Sequence, residues 1–392
     1  MDYNSYFLSA TEYAHLKGIS KMQVIRQIRS GLVSAQRVGN RWLISSASSL
    51  DSQINLTKTT SLQVWAKLVK AHLGLDLDIE RSKDRELIYA QLHSLGLPHQ
   101  RSFSLSPEES LTKEKFTTAV KRIGFPYWIS AVPNPNYSYL DRQTKLGLYE
   151  INTGWKFIDR LPEVSKYKII ISQYPENTQF GGTLFISATG HGLAEFVTGD
   201  RHYLMTRGFT ATDPLLFDSN HIVKYSSTVP SQYQDHIFQF TKNIPGHFEF
   251  CLGTIDHHTD IIFFDYSHDH HYATNIDPIW KPLLSAKSGL TASAGQASGT
   301  CLVVHHQNYD ISPSTSSKYI LISDTLIPEM VPLLKSAQAV VTDLGGVTSH
   351  PSIVLRELKI PTIVGTINAT SQFSTGQKVK VNATLGKITL LS

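Results

Sequence analysis

The feature that most constrains this chain is a segment near its C-terminus, which reads TDLGGVTSHPSIVLRELKIPTIVG from Thr342 to Gly365. A pair of glycines allows the backbone to approach another group closely, and His350 follows at the start of a predicted helix. Free N–H groups in the first turn of a helix favour negative charge, and Thr348 and Ser349 add hydroxyl donors. A single histidine most often has a structural role, but these neighbours favour a histidine that carries phosphate.

The same segment resembles the swivelling phosphohistidine domain of the phosphoenolpyruvate-utilising enzyme family, which includes phosphoenolpyruvate synthase, pyruvate phosphate dikinase and rifampin phosphotransferase. That family reads roughly TxxGGxxSHAAIxARExGIPAVVG, and Pro351 stands where it usually has alanine. The resemblance extends from about Gly289 to the C-terminus and implies a compact β/α domain. It implies these catalytic residues: His350, Ser349, Thr348, Gly345 and Gly346.

Residues 81–272 resemble a shortened, split ATP-grasp domain of the same family, with an α+β fold. The clearest matches are two predicted strands, GGTLFIS from Gly181 and GLAEFVTGD from Gly192. A preceding apolar run, IIISQYP from Ile169, resembles the strand and hinge beside the adenine. The resemblance implies ATP as the nucleotide and these residues for its binding: Lys83, Gln173, Gly181, Gly182 and Glu195.

Two further apolar runs in this part of the chain each carry one acid, Glu249 and Asp265, with a turn-like stretch between them. Adjacent antiparallel strands would place both carboxylates on one face of a sheet. Phosphoryl transfer from ATP requires magnesium, which binds hard oxygen ligands. We therefore predict a Mg²⁺ site at Glu249 and Asp265, against the alternative that both are ordinary surface acids.

The chain departs from the family pattern in two places within this region. Ile129–Ala131 stands where the family has arginine-serine-serine, and Asp265–His268 stands where it has a Q-x-R-P ending. The phosphate clamp would then need other cations, and the sequence offers these: Arg142, Lys145, Arg201 and Arg207.

The N-terminal residues 1–50 hold six basic and two acidic residues, an excess as large as the net charge of +4 of the whole chain. A capping pattern at Ser9 opens one predicted helix, and a second runs from about Lys21 to Arg29. Residues 35–38 and 41–44 then read as two strands around the turn-forming pair Gly39–Asn40. Together these patterns predict a helix-turn-helix with a wing.

This N-terminal segment resembles the excisionase and MerR-like winged helix-turn-helix modules, which implies DNA as a partner. The second helix would enter the major groove, and the arginines of the wing would contact the backbone or the minor groove. The alternative is a module for protein docking or dimerisation, and specific DNA binding would require a dimer or a second partner. The predicted DNA-binding residues are Lys21, Gln23, Arg26, Gln27, Arg37 and Arg41.

Length and composition fit a multidomain α+β protein. With 392 residues, of which 41% are hydrophobic, the chain can bury two or three cores. No apolar run reaches membrane-spanning length and the N-terminus lacks the pattern of a secretion signal, so we expect a soluble, cytoplasmic protein. Cys251 and Cys301 are expected to be reduced, buried thiols.

The predicted organisation has five segments. They are a winged helix-turn-helix (1–48), a linker with an amphipathic helix (49–80), the ATP-grasp-like domain (81–272), a hinge (273–288) and the phosphohistidine domain (289–392). Apolar residues of the amphipathic helix are expected to dock on a neighbouring domain.

The sequence leaves three functions open. The first is an ATP-dependent phosphotransferase that relays a phosphoryl group through His350 to an unknown small-molecule or protein acceptor. The second is a DNA-binding regulator that responds to a nucleotide or to phosphorylation through a non-catalytic core. The third is a partner subunit whose donor domain works only with another enzyme.

Overall fold

The computed structural model describes residues 7–9, 21–22, 24–25, 35–38, 41–45, 62–77, 85–106, 112–137, 140, 142–268, 275–285, 289–309 and 318–391. The chain divides into two compact units, Met1–Thr59 and Thr60–Ser392. Among the described residues, no helix is both long and apolar enough to cross a bilayer.

The first unit contains a three-stranded antiparallel sheet in the order β1-β3-β2, with β1 at Phe7–Ser9, β2 at Ala35–Val38 and β3 at Arg41–Ser45. The predicted hairpin of β2 and β3 is confirmed, and its partner strand β1 was not predicted.

Helical backbone is described at residues 21–22 and 24–25, within the predicted second helix of this unit. Val24 is fully buried and Lys21 is exposed, as the helical spacing of apolar residues predicts. The complete helix-turn-helix includes residues outside the described ones and stays a prediction.

The second unit is a mixed α/β structure with three sheets. Its described helices are α1 (Leu62–Leu73), α2 (Arg85–Ser94), α3 (Lys113–Ile123), α4 (Ile151–Asp159), α5 (His202–Thr206), α6 (Ser231–Thr241), α7 (Asp277–Ser285), α8 (Val331–Leu334), α9 (His350–Glu357) and α10 (Ala369–Gln372). Its described strands are β4 (Ser102–Leu105), β5 (Tyr127–Pro133), β6 (Gln143–Leu148), β7 (Tyr167–Gln173), β8 (Glu176–Ile186), β9 (Gly192–Thr198), β10 (Leu215–Phe217), β11 (Ile222–Lys224), β12 (Gly246–Ile255), β13 (His258–Ser267), β14 (Leu290–Ser293), β15 (Gln296–Val304), β16 (Tyr319–Ser323), β17 (Ala337–Thr342), β18 (Thr362–Val364), β19 (Lys378–Asn382) and β20 (Lys387–Leu390).

Residues 85–268, called the middle region here, form two α+β lobes. The smaller lobe is a four-stranded antiparallel sheet in the order β4-β7-β5-β6, and α3 and α4 pack around a shared core with it. The larger lobe is a six-stranded antiparallel sheet in the order β11-β10-β9-β8-β12-β13. Its core is rich in phenylalanines. Strands β8, β9 and β12 are central in the sheet, and most of their residues are buried.

Residues 289–391, called the C-terminal region here, form a seven-stranded mixed sheet in the order β14-β18-β17-β16-β15-β19-β20. Strands β15, β16, β17 and β18 are parallel to one another, and every residue of β16 is buried. Continuous apolar strands of this kind are typical of parallel sheets that are covered on both faces.

The amphipathic helix α1 packs on the C-terminal region, against α8 and α9. Leu62, Trp65 and Val69 are buried in the same apolar cluster as Ile353 and Val354 of α9. The prediction that this helix docks on a neighbouring domain is therefore confirmed.

The predicted hinge contains helix α7, which corrects the expectation of a loose linker between Asp277 and Ser288. Ile279, Trp280 and Leu283 are buried at helical spacing, and the indole Nε1 of Trp280 donates to the carbonyl of Gly192 at 3.1 Å. Proline and serine suggested a flexible segment, but the apolar face of the helix stabilises regular structure.

Candidate phosphohistidine site

The loop from β17 to α9 holds the histidine motif at the boundary between the middle and C-terminal regions. Gly345 has a φ of +104°, a conformation that favours glycine, and its N–H donates to the carbonyl of Thr210 at 3.1 Å. His350 begins α9 and is partly buried, with Ser349 as the preceding cap residue. The ring is therefore not enclosed in the interior.

A carboxylate of the middle region lies directly on this loop. Glu195, on β9, is fully buried, and its Oε1 accepts hydrogen bonds from the N–H of Val347 at 2.8 Å and the hydroxyl of Thr212 at 2.5 Å. Its Oε2 accepts from both the N–H and the hydroxyl of Thr348, at 2.8 and 2.6 Å. The anion-binding groups predicted for the motif therefore bind Glu195 in this structure.

Gly346 makes this approach possible. A Cβ atom built on Gly346 would lie 2.5 and 2.7 Å from the two carboxylate oxygens of Glu195 and 2.7 Å from the hydroxyl of Thr212. The second glycine of the pair is therefore needed for the contact between the regions.

The hydroxyl of Ser349 is engaged within the loop in this structure, and its predicted role toward an anion stays a prediction. It donates to the carbonyl of Gly346 at 2.8 Å, as does the hydroxyl of Ser352 at 2.6 Å. Ser349 is fully buried, so these bonds brace the loop internally. Of the two predicted hydroxyl donors, Thr348 alone binds a carboxylate.

A buried cation lies behind the loop. The guanidinium of Arg356 donates to the carbonyl of Ala292 at 2.9 Å and to that of Val347 at 3.3 Å. Burial lowers the pKa of Arg356 to about 10, while the charges of Glu357 and Glu195 oppose that change. The guanidinium thus brings positive charge to the peptide that binds Glu195.

The middle region contributes a second contact through the segment after α5. The hydroxyl of Thr325 donates to the carbonyl of Gly208 at 2.7 Å, and a Cβ on Gly208 would lie 2.9 Å from the Cγ of Pro351. Gly208 has a φ of +82°. The neighbouring Arg207 is partly buried, and burial lowers its pKa.

The other predicted nucleotide-binding residues are distributed over the middle region. Gln173 ends β7, and its side-chain oxygen accepts from the N–H of Arg101 at 3.0 Å. Gly181 and Gly182 lie inside β8, where a Cβ on Gly182 would be 2.4 Å from the Cζ of Phe250. These glycines permit close packing within the sheet, and Lys83 lies outside the described residues.

Glu249 and Asp265 lie opposite each other on β12 and β13, as the hairpin prediction requires. Asp265 is buried, however, and pairs with Arg85 at 3.3 Å. Among the described residues, no group of three or more acids, histidines or cysteines could hold a metal ion. Because Mg²⁺ that accompanies ATP is usually held by one or two carboxylates together with phosphate oxygens, the pair is compatible with this role, which stays a prediction.

Two arginines near this pair are candidates for binding phosphate. Arg85, which the sequence interpretation missed, is almost fully buried on α2, and its guanidinium lies 5.8 Å from the ring centroid of Trp128. Arg142, proposed as a compensating cation, donates to the buried hydroxyl of Ser130, in the element where the family has arginine-serine-serine. Arg85 belongs to none of the motifs used to predict the site, so nothing in the sequence indicated its position.

The remaining predicted cations are not gathered at this position. Lys145 is exposed on β6, and Arg201 precedes α5. Of the predicted DNA-binding residues, Lys21 is exposed on described helix, and Arg37 and Arg41 lie on β2 and β3. Gln23, Arg26 and Gln27 lie outside the described residues.

Comparison with known proteins agrees with the interpretation of the C-terminal region. Residues 315–386 match the family model described as PEP-utilising enzyme, mobile domain. A probable phosphoenolpyruvate synthase of Staphylothermus marinus is 41% identical over 100 residues, and the phosphoenolpyruvate synthase of Pyrococcus furiosus is 44% identical over 102 residues. Each match covers 26% of this chain and 12% of the relative. These matches support the predicted mobile domain in the C-terminal region, and the chain spans only 12% of the length of these two relatives.

Among solved structures, the D-alanine-D-alanine ligase of Helicobacter pylori aligns with 54% of this chain and 64% of its own, at 10% identity and a TM-score of 0.31. At that TM-score the likeness does not define the fold of the middle region.

Proposed function

We propose that this protein is an ATP-dependent phosphotransferase in which His350 accepts a phosphoryl group from a nucleotide held by the middle region. One observation supports the proposal above others. The loop before His350 lies directly on the middle region, with Glu195 and Thr210 in hydrogen-bonded contact with it. A carrier histidine has to reach its donor domain, and this contact brings the two regions together at the motif.

The proposed loading step is a nucleophilic substitution at phosphorus. A ring nitrogen of His350 supplies the electron pair for the new N–P bond, and the P–O bond to the remaining nucleotide breaks with its electrons on the leaving oxygen. The imidazole gives up its proton when the neutral ring is restored after transfer. By resemblance, the group that remains on the ring is the β-phosphoryl of ATP. Attack at the β-phosphorus releases AMP and brings the γ-phosphoryl group along with the β group, and water then cleaves the β–γ bond and releases the γ group as inorganic phosphate.

Cations of the middle region are proposed to hold the nucleotide phosphates, because such transfers depend on positioning and on offsetting negative charge. Arg85 and Arg142 are buried or partly buried near the junction of α2, β5 and β13. Mg²⁺ normally accompanies ATP and offsets its charge. Glu249 and Asp265 would supply carboxylate oxygens to the ion, with phosphate oxygens completing its ligand set, and no step is assigned to it.

The acceptor of the phosphoryl group is proposed to be a separate protein or a small molecule. Apart from α1, the sheets and helices described in residues 60–392 belong to the middle and C-terminal regions or connect them. The match to the phosphoenolpyruvate synthases covers only 12% of their length, so pyruvate is one candidate acceptor among several.

Labelling with ATP tests the proposal directly. The full chain is incubated with magnesium and with ATP labelled at either the β or the γ phosphorus. We expect acid-labile, base-stable label on the wild-type chain from β-labelled ATP and none on His350→Ala. Retention of label by His350→Ala would contradict the assignment.

Donor-side variants separate loading from folding in this assay. Arg85→Lys keeps a cation beside Asp265, whereas Arg142→Gln, Glu249→Gln and Asp265→Asn remove charges of the donor lobe. Slower labelling in these variants, with unchanged circular dichroism, supports a donor site in the middle region. Labelling of all four variants at the wild-type rate would place the donor site elsewhere.

A DNA-binding regulator is the second candidate, and the packing of α1 favours it. This helix follows the N-terminal unit in sequence and packs on α9, the helix that begins with His350. A structural change at His350 would then be transmitted through α9 and α1 to the segment that follows the N-terminal unit. Under this proposal, ATP changes the affinity for DNA while phosphoryl turnover is absent.

A further inference from the structure

We infer that Glu195 is a latch that holds the C-terminal region on the middle region while His350 is unloaded, and that loading His350 with a phosphoryl group releases it. The inference rests on the proposed function, since it concerns the same histidine. It assigns to Glu195 a conformational role that differs from nucleotide binding.

The latch is a buried carboxylate that bridges the two regions. Both oxygens of Glu195 accept hydrogen bonds from the loop, through the N–H groups of Val347 and Thr348 and the hydroxyl of Thr348. Hydrogen bonds to an ionised carboxylate are about twice as strong as neutral ones. Separation would leave these buried donors without a partner until water or another anion replaced the carboxylate.

The donors that bind Glu195 are also suited to a phosphoryl group. His350 follows Thr348 by two positions, and a phosphoryl group brings negative charge and strongly accepting oxygens. Once attached there, the group would compete with Glu195 for the same N–H groups and would repel its charge. Arg356 belongs to the C-terminal region and would remain with the loop in either state.

Two further hydrogen bonds join the C-terminal and middle regions beside the loop, and both are insensitive to this charge. Thr325 donates to the carbonyl of Gly208 and Gly345 donates to the carbonyl of Thr210, so both pairs join neutral groups. The carboxylate of Glu195 is consequently the contact on which an added negative charge acts most strongly.

Distance measurement in the full chain tests the latch without any phosphoryl transfer. Spin labels are placed at Asn243→Cys and Thr389→Cys, which are exposed positions on the middle and C-terminal regions. The native cysteines, Cys251 and Cys301, are buried and should not take up label. We expect one narrow distance distribution for the otherwise unchanged chain.

The decisive comparison is between His350→Glu and His350→Gln, which differ in charge. We expect His350→Glu to lower the ratio of docked to open molecules by about tenfold or more, because it adds a fixed negative charge two positions from Thr348, which binds Glu195. His350→Gln should remain docked. Equal distributions for the two variants would overturn the latch.

Gly346→Ala provides a second variant on the opposite side of the contact. The new Cβ would clash with the carboxylate of Glu195, so the distribution should broaden as it does for His350→Glu. Thr366→Val is the matched control, because the hydroxyl of Thr366 bonds only within the C-terminal region among the described contacts. A docked Gly346→Ala chain would also contradict the latch.

These outcomes are separable from the proposed function. A chain that fails to label with ATP but opens in His350→Glu has a charge-sensitive latch without the expected transfer activity. A chain that labels normally yet stays docked in both His350→Glu and Gly346→Ala is a phosphotransferase without this latch.

Discussion

Asp324 shows how strongly a single residue beside the loop depends on its partners. One of its oxygens accepts from the N–H groups of His306 and Thr325, both at 2.9 Å, and the other lies 2.7 Å from the ring of His306. Burial by itself raises the pKa of Asp324, but these hydrogen bonds and the nearby imidazole outweigh it and lower the pKa to about 2.

This lowered pKa predicts a loss of stability in acid. The stabilising effect is complete above the unfolded value of 3.8 and disappears as the pH falls through the folded value of about 2. Between about pH 5 and pH 2, the gap in unfolding free energy between wild type and Asp324→Asn should shrink by about 2 kcal/mol. Urea unfolding at each pH measures it, and a constant gap would contradict the lowered pKa.

A second prediction at this scale concerns Gly182 in β8. Its substitution by alanine places a Cβ 2.4 Å from the Cζ of Phe250 and 2.9 Å from the carbonyl of Glu195, inside a closely packed sheet. Overpacking of this kind typically costs about 1–3 kcal/mol. Gly181→Ala is the control, because its nearest neighbour, the Cβ of His202, is at 3.2 Å. Thermal unfolding midpoints of the two variants should differ, with Gly182→Ala lower.

At the scale of elements, helix α1 derives its stability from one face. Trp65 and Val69 are buried against the C-terminal region, whereas Lys67 and Lys70 are exposed. An isolated helix of this length is marginal in water, so the packing of its apolar face supplies most of its stability. The helix is therefore held by the domain on which it docks.

Trp65→Ala is expected to lower the free energy of unfolding by about 3–5 kcal/mol, because it removes a large buried side chain. Lys67→Ala, on the exposed face of the same helix, should change it by about 0.5 kcal/mol or less. Chemical unfolding of both variants makes the comparison. Similar values for the two would indicate that α1 is not docked in solution.

At the scale of the whole molecule, positive charge is unevenly distributed. Residues 1–50 carry an excess of +4, equal to the net charge of all 392 residues, so the remainder is balanced. Association with a phosphate backbone would then depend on the N-terminal unit and on ionic strength.

We predict that duplex DNA binds the full chain with an affinity that falls as salt rises. The double variant Arg37→Ala/Arg41→Ala should reduce the slope of log affinity against log salt by about 2, because each arginine that contacts a phosphate contributes about 1. Fluorescence anisotropy across a salt series measures the slope. An unchanged slope would favour the docking or dimerisation alternative for this unit.

The sequence predicted those features whose signals are local. The histidine motif, the hairpin of β12 and β13, and the apolar face of α1 all depend on short-range spacing, and each is present. The partner of the motif was not predictable in this way. Glu195 lies 152 positions before Val347, and its resemblance to a nucleotide-binding strand gave no indication that it contacts the loop.

The missed features share a physical cause, which is tertiary packing. The composition of the predicted hinge suggested a linker, but burial of Ile279, Trp280 and Leu283 favours a helix there. The internal hydrogen bond of Ser349 has the same cause, because folding of the loop directs its hydroxyl to the carbonyl of Gly346.

The packing of α1 on the C-terminal region also limits how that region can travel. The polypeptide contacts this region at α1, continues into the middle region, and returns through α7, so the chain joins this region to the rest of the second unit at two places. A rotation that carries His350 away must bend the chain both before α2 and around α7 in concert. Shortening either connection should restrict the rotation of the region that carries His350 and slow the proposed phosphoryl transfer.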